Sequence, residues 1–182
     1  MSLILVVDDN EREIRRPIVR QLGREFGAER IIEAGNGQEA LELLQRWPDR
    51  IAVILLDIMM PVKDGIATCQ AIRDNPDWAG IYIIMLTGRD GGLPEGLEVG
   101  ADLYLHKPTP IDELIAIVRH GLQAYRKEQR HVDREADLTE KWRFAEQEKQ
   151  RLQQQGTTSY VEVPAAAAAP GPPWVDLVKD WG

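Results

Sequence analysis

The sequence predicts an α/β fold on a doubly wound, five-stranded parallel sheet, and three observations lead there. From residue 3 to about residue 118, short runs rich in Ile, Val and Leu alternate with helix-like segments. The runs are continuously apolar, as strands covered on both faces are, whereas half-exposed strands alternate. Polar residues capable of chemistry follow four of the five runs, at the carboxyl ends where open parallel sheets carry their sites.

The elements follow in order. Leu3 to Val7 is the first strand, and Asn10 caps a helix that begins at Glu11. Pro17 falls inside that helix, removes one backbone hydrogen bond and crowds the preceding turn, so a kink is expected. Ile31-Ile32 marks the second strand, and Asn36-Gly37 turns the chain into the helix of Gln38-Glu39-Ala40-Leu41. Ile51 to Leu56, Ile81 to Leu86 and Leu103 to Leu105 are the third, fourth and fifth strands, and Asp112 opens the last helix. Five strands and five helices make a βα repeat with right-handed crossovers.

Composition narrows the function. The 182 residues are 43% hydrophobic and 29% charged, the balance of a soluble globular chain, and too few for two full α/β domains. A formal net charge of −8 gives no general attraction to nucleic acid or to an anionic membrane. There is no basic leader and no apolar run long enough for a bilayer, so a cytoplasmic protein without membrane insertion is expected. The single Cys69 fits a reducing compartment and is expected to be a small buried hydrophobe.

The chemistry lies after the runs: Asp8 and Asp9 follow the first, Asp57 the third, Thr87 the fourth and Lys107 the fifth. Singly, each could be a cap, a turn former or a surface charge. Brought to one end of one sheet, three carboxylates repel one another, and a hard cation such as Mg²⁺ relieves the repulsion while keeping places for water and phosphate oxygens. Asp57 can then act as a nucleophile toward phosphorus, with Thr87 and Lys107 stabilising the oxygens of the transferring group.

Residues 3–9 (Leu-Ile-Leu-Val-Val-Asp-Asp), 57–65 (Asp-Ile-Met-Met-Pro-Val-Lys-Asp-Gly), Leu86-Thr87-Gly88 and 100–108 (Gly-Ala-Asp-Leu-Tyr-Leu-His-Lys-Pro) resemble the chemotaxis-type response-regulator receiver family over about residues 1–124. The resemblance implies a flavodoxin-like fold of strand order 2-1-3-4-5 and metal binding by Asp8, Asp9, Asp57 and the backbone carbonyl of Met59. It implies Asp57 as phosphoacceptor, Thr87 as switch hydroxyl, Lys107 as counter-charge, Tyr104 as the rotating switch aromatic and a cis Lys107-Pro108 bond. The expected partner is a histidine kinase or a histidine phosphotransfer protein.

Two departures stand out. Residues 88–99 are short and rich in Gly and Pro, so the fourth helix is expected to be short, starting near Pro94, which unsettles the family's usual output face. Met59 and Arg89 flank the line of attack of a hydrolytic water in this family, and an apolar Met59 predicts slow self-dephosphorylation.

Beyond the receiver, residues 125–155 continue the last helix. Apolar or small side chains at 122, 125, 132, 136 and 139, and after a phase slip at 138, 142, 145 and 152, form a weak coiled-coil seam interrupted by Gln129, Thr139 and Lys149. The helix is either a homodimer contact or a single solvated helix. Its basic and acidic residues are interspersed, unlike a nucleic-acid footprint. Residues 156–173, rich in Pro and Ala, read as an extended linker of roughly 50 Å at about 3.1 Å per residue. Residues 174–182 place Trp174, Leu177, Val178 and Trp181 at i, i+3, i+4 and i+7, an apolar docking peptide for a partner or for the chain's own receiver domain.

The functional expectation is a response regulator with no DNA-binding or enzymatic output domain, not itself an enzyme, whose phosphorylation switches contacts with a downstream protein target. Two alternatives are a phosphorelay carrier between a histidine kinase and a histidine phosphotransfer protein, and a scaffold that assembles regardless of phosphorylation.

Overall fold

A computed structural model describes residues 1–88 and 99–154. The chain divides between Gln129 and Arg130 into two units. In the first, five strands, β1 (Leu3–Val7), β2 (Ile31–Ala34), β3 (Ile51–Asp57), β4 (Tyr82–Thr87) and β5 (Leu103–His106), form one sheet in the order β2-β1-β3-β4-β5. Every neighbouring pair is parallel, so the predicted class and strand order are both found.

The continuous apolarity has the expected cause. All five residues of β1 and all seven of β3 are buried, and alternate side chains of β1, and of β3 from Val53 onward, serve opposite faces. Leu5, Val7, Ile54, Leu56, Ile83 and Met85 pack beneath α2 (Gly37–Arg46) and α3 (Gly65–Arg73), with Leu44, Cys69 and Ile72. Ile4, Val6, Val53, Leu55, Ile84 and Leu86 meet Leu22 of α1 (Arg16–Phe26) and Leu114, Val118, Leu122 and Tyr125 of α4 (Ile111–Gln154). Cys69 is free and buried, and its thiol donates to the carbonyl of Val99.

The first helix differs from expectation in an instructive way. Glu11–Arg15 form a π-helical turn, and the α-helix proper begins only at Arg16, with Pro17 in its first turn. A proline there needs no backbone donor, so the chain accommodates Pro17 by widening the preceding turn. Both Ile14 and Arg15 donate their amides to the Asn10 carbonyl. The Asn10 and Asn36 caps are found, each side chain accepting from the amide three residues on.

The expected fourth helix near Pro94 and Arg89, the linker at 156–173 and the peptide carrying Trp174, Leu177, Val178 and Trp181 all lie outside the described residues. The last helix runs as predicted past the receiver, and its part in the second unit exposes Val132, Leu138, Trp142 and Phe144. No helix among the described residues is long and apolar enough to cross a membrane.

Two glycines permit the close approaches that the sheet requires. At Gly121 an added Cβ would lie 2.7 Å from a ring carbon of Tyr82, so this glycine lets α4 settle onto the sheet despite its helical penalty of about 1 kcal/mol. At Gly65 an added Cβ would overlap the carbonyl oxygen of Asp57, while the Gly65 amide donates to Ile58 O at 2.9 Å. Gly65→Ala is therefore expected to lower unfolding stability by about 1–3 kcal/mol through overpacking, measured by urea titration. A change below about 0.5 kcal/mol, the usual range of neutral surface substitutions, would show that the contact yields.

Candidate functional site

Three strand ends build the site. β1 runs directly into Asp8, whose amide still donates to Ala34 O at 3.2 Å, so Asp8 is held in the sheet edge and is wholly buried. Its Oδ1 accepts from the Asn10 amide at 2.9 Å, and its carbonyl accepts from Arg15 Nη1. Arg15 also pairs with Glu33 of β2 at 3.1 Å, so a single guanidinium ties the Asp8 turn to the edge strand. Sequence reasoning did not single out Arg15, because nothing in its spacing from Asp8 and Glu33 reveals the fork.

Asp57 is the last residue of β3, registered with Leu86 of β4 and only 7% exposed. From the far side Lys107 arrives on the chain leaving β5, its amide donating to Thr87 O at 2.7 Å. The Lys107 ammonium donates to Asp8 Oδ2 at 2.6 Å and forms an ion pair with Asp57 Oδ1 at 2.7 Å. The peptide that follows, Lys107-Pro108, is cis.

Asp9 completes the group, with one carboxylate oxygen from each of Asp8, Asp9 and Asp57 within 4.8 Å of the others. Three carboxylates and one ammonium leave a formal surplus of two negative charges. An all-oxygen donor set with that surplus fits a hard divalent cation. Burial pushes the Asp57 carboxyl above its ordinary range; the hydrogen bond and charge of Lys107 oppose this, while Asp8 and Asp9 add to it.

The remaining predicted residues divide. Thr87, 2% exposed, directs its hydroxyl toward β5: it donates to Leu105 O at 3.3 Å and pairs with His106 Nδ1 at 2.8 Å. Tyr104 is half-buried and packs against the core beneath α2 and α3. Met59 is 69% exposed beside the site, and the nearby Val62 adopts φ +68°, a left-handed conformation unusual for a β-branched residue. His106 was not foreseen; its role depends on the register that pairs it with Thr87 across two strands.

Comparison with known proteins agrees with this geometry. The family model described as "Response regulator receiver domain" matches residues 4–119. The chain is 42% identical over 121 residues to the transcriptional regulatory protein CpxR of Escherichia coli K12, covering 65% of this chain and 48% of that protein. It is 40% identical over 118 residues to the response regulator MprA of Mycobacterium leprae, covering 64% and 49%. The chain thus spans about half the length of these curated relatives. Among solved structures, a CheY-like receiver domain protein of Methanospirillum hungatei JF-1 superposes with a TM-score of 0.60 at 30% identity, covering 69% of this chain and 98% of that one. The chemotaxis protein CheY4 of Vibrio cholerae does so with 0.58 at 30%, covering 67% and 99%.

The raised Asp57 carboxyl has a consequence for stability. Asp57 binds its proton more tightly folded than unfolded, so its contribution is full below the unfolded carboxylate range and is lost as pH rises through the folded value. Without divalent ions, Asp57→Asn should melt above the wild type at pH 7.5, and the gap should close as pH falls through the Asp57 titration. Thermal melts in chelator across that range check this; a gap that is absent or grows in acid contradicts it.

Proposed function

Because the chain belongs to the response regulator receiver family, we propose that it is a phosphorylation-operated switch whose phosphoacceptor is Asp57. The observation that carries this reading is Lys107, whose ammonium bridges Asp8 and Asp57 beside Asp9. It is a cation already placed where phosphoryl oxygens would arrive.

The partner is a histidine kinase or a histidine phosphotransfer protein. An Asp57 carboxylate oxygen attacks the phosphorus of a phosphohistidine, the P–N bond breaks with its electron pair passing to the imidazole, and an acyl phosphate forms. Asp8, Asp9, Asp57 and the Met59 carbonyl would hold Mg²⁺, which supplies positive charge to the phosphoryl oxygens when bound. Lys107 adds a second cation with three donor hydrogens, two of which the carboxylates now occupy. On phosphorylation the Thr87 hydroxyl turns from β5 toward the new oxygens, and Tyr104 moves into the space it leaves.

Output runs through protein contacts. The exposed Val132, Leu138, Trp142 and Phe144 supply apolar surface for a downstream target or, along the interrupted coiled-coil seam, for a second copy of the chain. The basic and acidic residues of this helix are interspersed, and some pair, as Lys141 does with Asp137 and Arg151 with Glu148, which favours a protein over nucleic acid.

Incubation with a small-molecule phosphodonor in Mg²⁺, read by intact mass, should add one phosphoryl group to the wild type, none to Asp57→Ala and none in chelator. Labelling of Asp57→Ala equal to that of wild type would overturn the assignment. In the same experiment Met59→Asn should shorten the phosphoryl lifetime several-fold by orienting the attacking water; an unchanged lifetime would remove Met59 from that role.

A further inference from the structure

Resting on the reading of Asp57 as phosphoacceptor and Thr87 as its switch hydroxyl, we propose that His106 is a positioning residue that latches the resting Thr87 hydroxyl to β5 and thereby sets the threshold for switching.

Parallel pairing of β4 with β5 places Thr87 opposite His106. Thr87 is buried, so its hydroxyl needs protein partners, and both of them belong to β5: the Leu105 carbonyl at 3.3 Å and His106 Nδ1 at 2.8 Å. A hydroxyl has one proton and accepts at its lone pairs. With that proton given to Leu105 O, the imidazole must donate Nδ1–H to Oγ1, so both hydrogen-bonding capacities of Thr87 are met by one strand.

Switching undoes this arrangement. To donate to a phosphoryl oxygen on Asp57, Thr87 must surrender Leu105 O and pass to another staggered rotamer, and that rotation carries Oγ1 away from His106. The imidazole is exposed and can turn to water, so its own satisfaction is not lost. The bond to His106 therefore opposes the active state without making any group unsatisfied after the change. Lys107 follows His106 directly, and its amide donates to Thr87 O at 2.7 Å, so the latch and the counter-charge share one stretch of backbone.

The test measures the affinity of the full-length chain for beryllofluoride, an acyl-phosphate mimic, by calorimetry in saturating Mg²⁺. His106→Phe keeps a flat ring of similar size without the nitrogen, and His106→Ala removes the ring altogether. Both should bind the mimic roughly fivefold more tightly than wild type, the factor that one ordinary hydrogen bond corresponds to. His106→Asn, which can present an amide nitrogen near the position of Nδ1, should restore the wild-type value. Affinity for Mg²⁺ alone should be the same in all four proteins, which separates release of the latch from damage to the acidic site. Mimic affinities of Phe and Ala variants equal to or weaker than wild type overturn the latch. Failure of the wild type itself to bind the mimic would instead overturn the assignment of Asp57, and the latch with it.

Discussion

The ammonium of Lys107 lies between two buried carboxylates, 2.6 Å from Asp8 and 2.7 Å from Asp57, and the arrangement of the strand ends depends on it. Asp8 is fully buried, and a buried carboxylate without a partner costs several kcal/mol. One oxygen of Asp8 has the Asn10 amide and the other has Lys107. The same ammonium meets Asp57, so the first, third and fifth strands are joined at their carboxyl ends by one charge. It leaves the acidic group with a formal surplus of two negative charges, an all-oxygen set compatible with a hard divalent cation.

The rest of the first unit serves to bring these ends together. Burial of β1 and β3 on both faces excludes polar side chains until the strands emerge, so the first carboxylates appear where the apolar runs stop. Gly65 allows α3 to start against the Asp57 carbonyl, and Arg15 clamps the Asp8 turn to Glu33. The π-helical turn before Pro17 belongs to the same set of constraints, since it carries the chain from Asp9 into α1 and presents Arg15 to the turn. On the other side of the site Thr87 is held by β5 through Leu105 and His106, so the hydroxyl assigned to switching is restrained by the strand that delivers Lys107.

Much of this was legible in the sequence because the sheet is covered on both faces. Unbroken apolar runs gave the strand positions, and the residues following them gave the acidic cluster, Thr87 and Lys107. The strand ends were read short for a physical reason: Asp57, Thr87 and His106 are polar yet still pair in the ladder, and Glu33 interrupts the apolarity of the edge strand β2. Pro17 announced a disturbance but not its form, since a proline can end, kink or start a helix. Arg15 and His106 were invisible because their partners are fixed by register and by a side chain reaching across elements. Neither leaves a periodicity in the chain.

In the function proposed above, Asp8, Asp9 and Asp57, bridged by Lys107, form one site for a divalent cation and a phosphoryl group. A crystal structure of the full chain grown with Mg²⁺ and beryllofluoride tests it most directly. The expected result is beryllium bound to an Asp57 carboxylate oxygen, the metal touching Asp8, Asp9 and Asp57, and Lys107 moved onto a fluorine. A structure in which the mimic lies elsewhere, or in which Lys107 keeps both carboxylates while the metal binds outside the three aspartates, would contradict it.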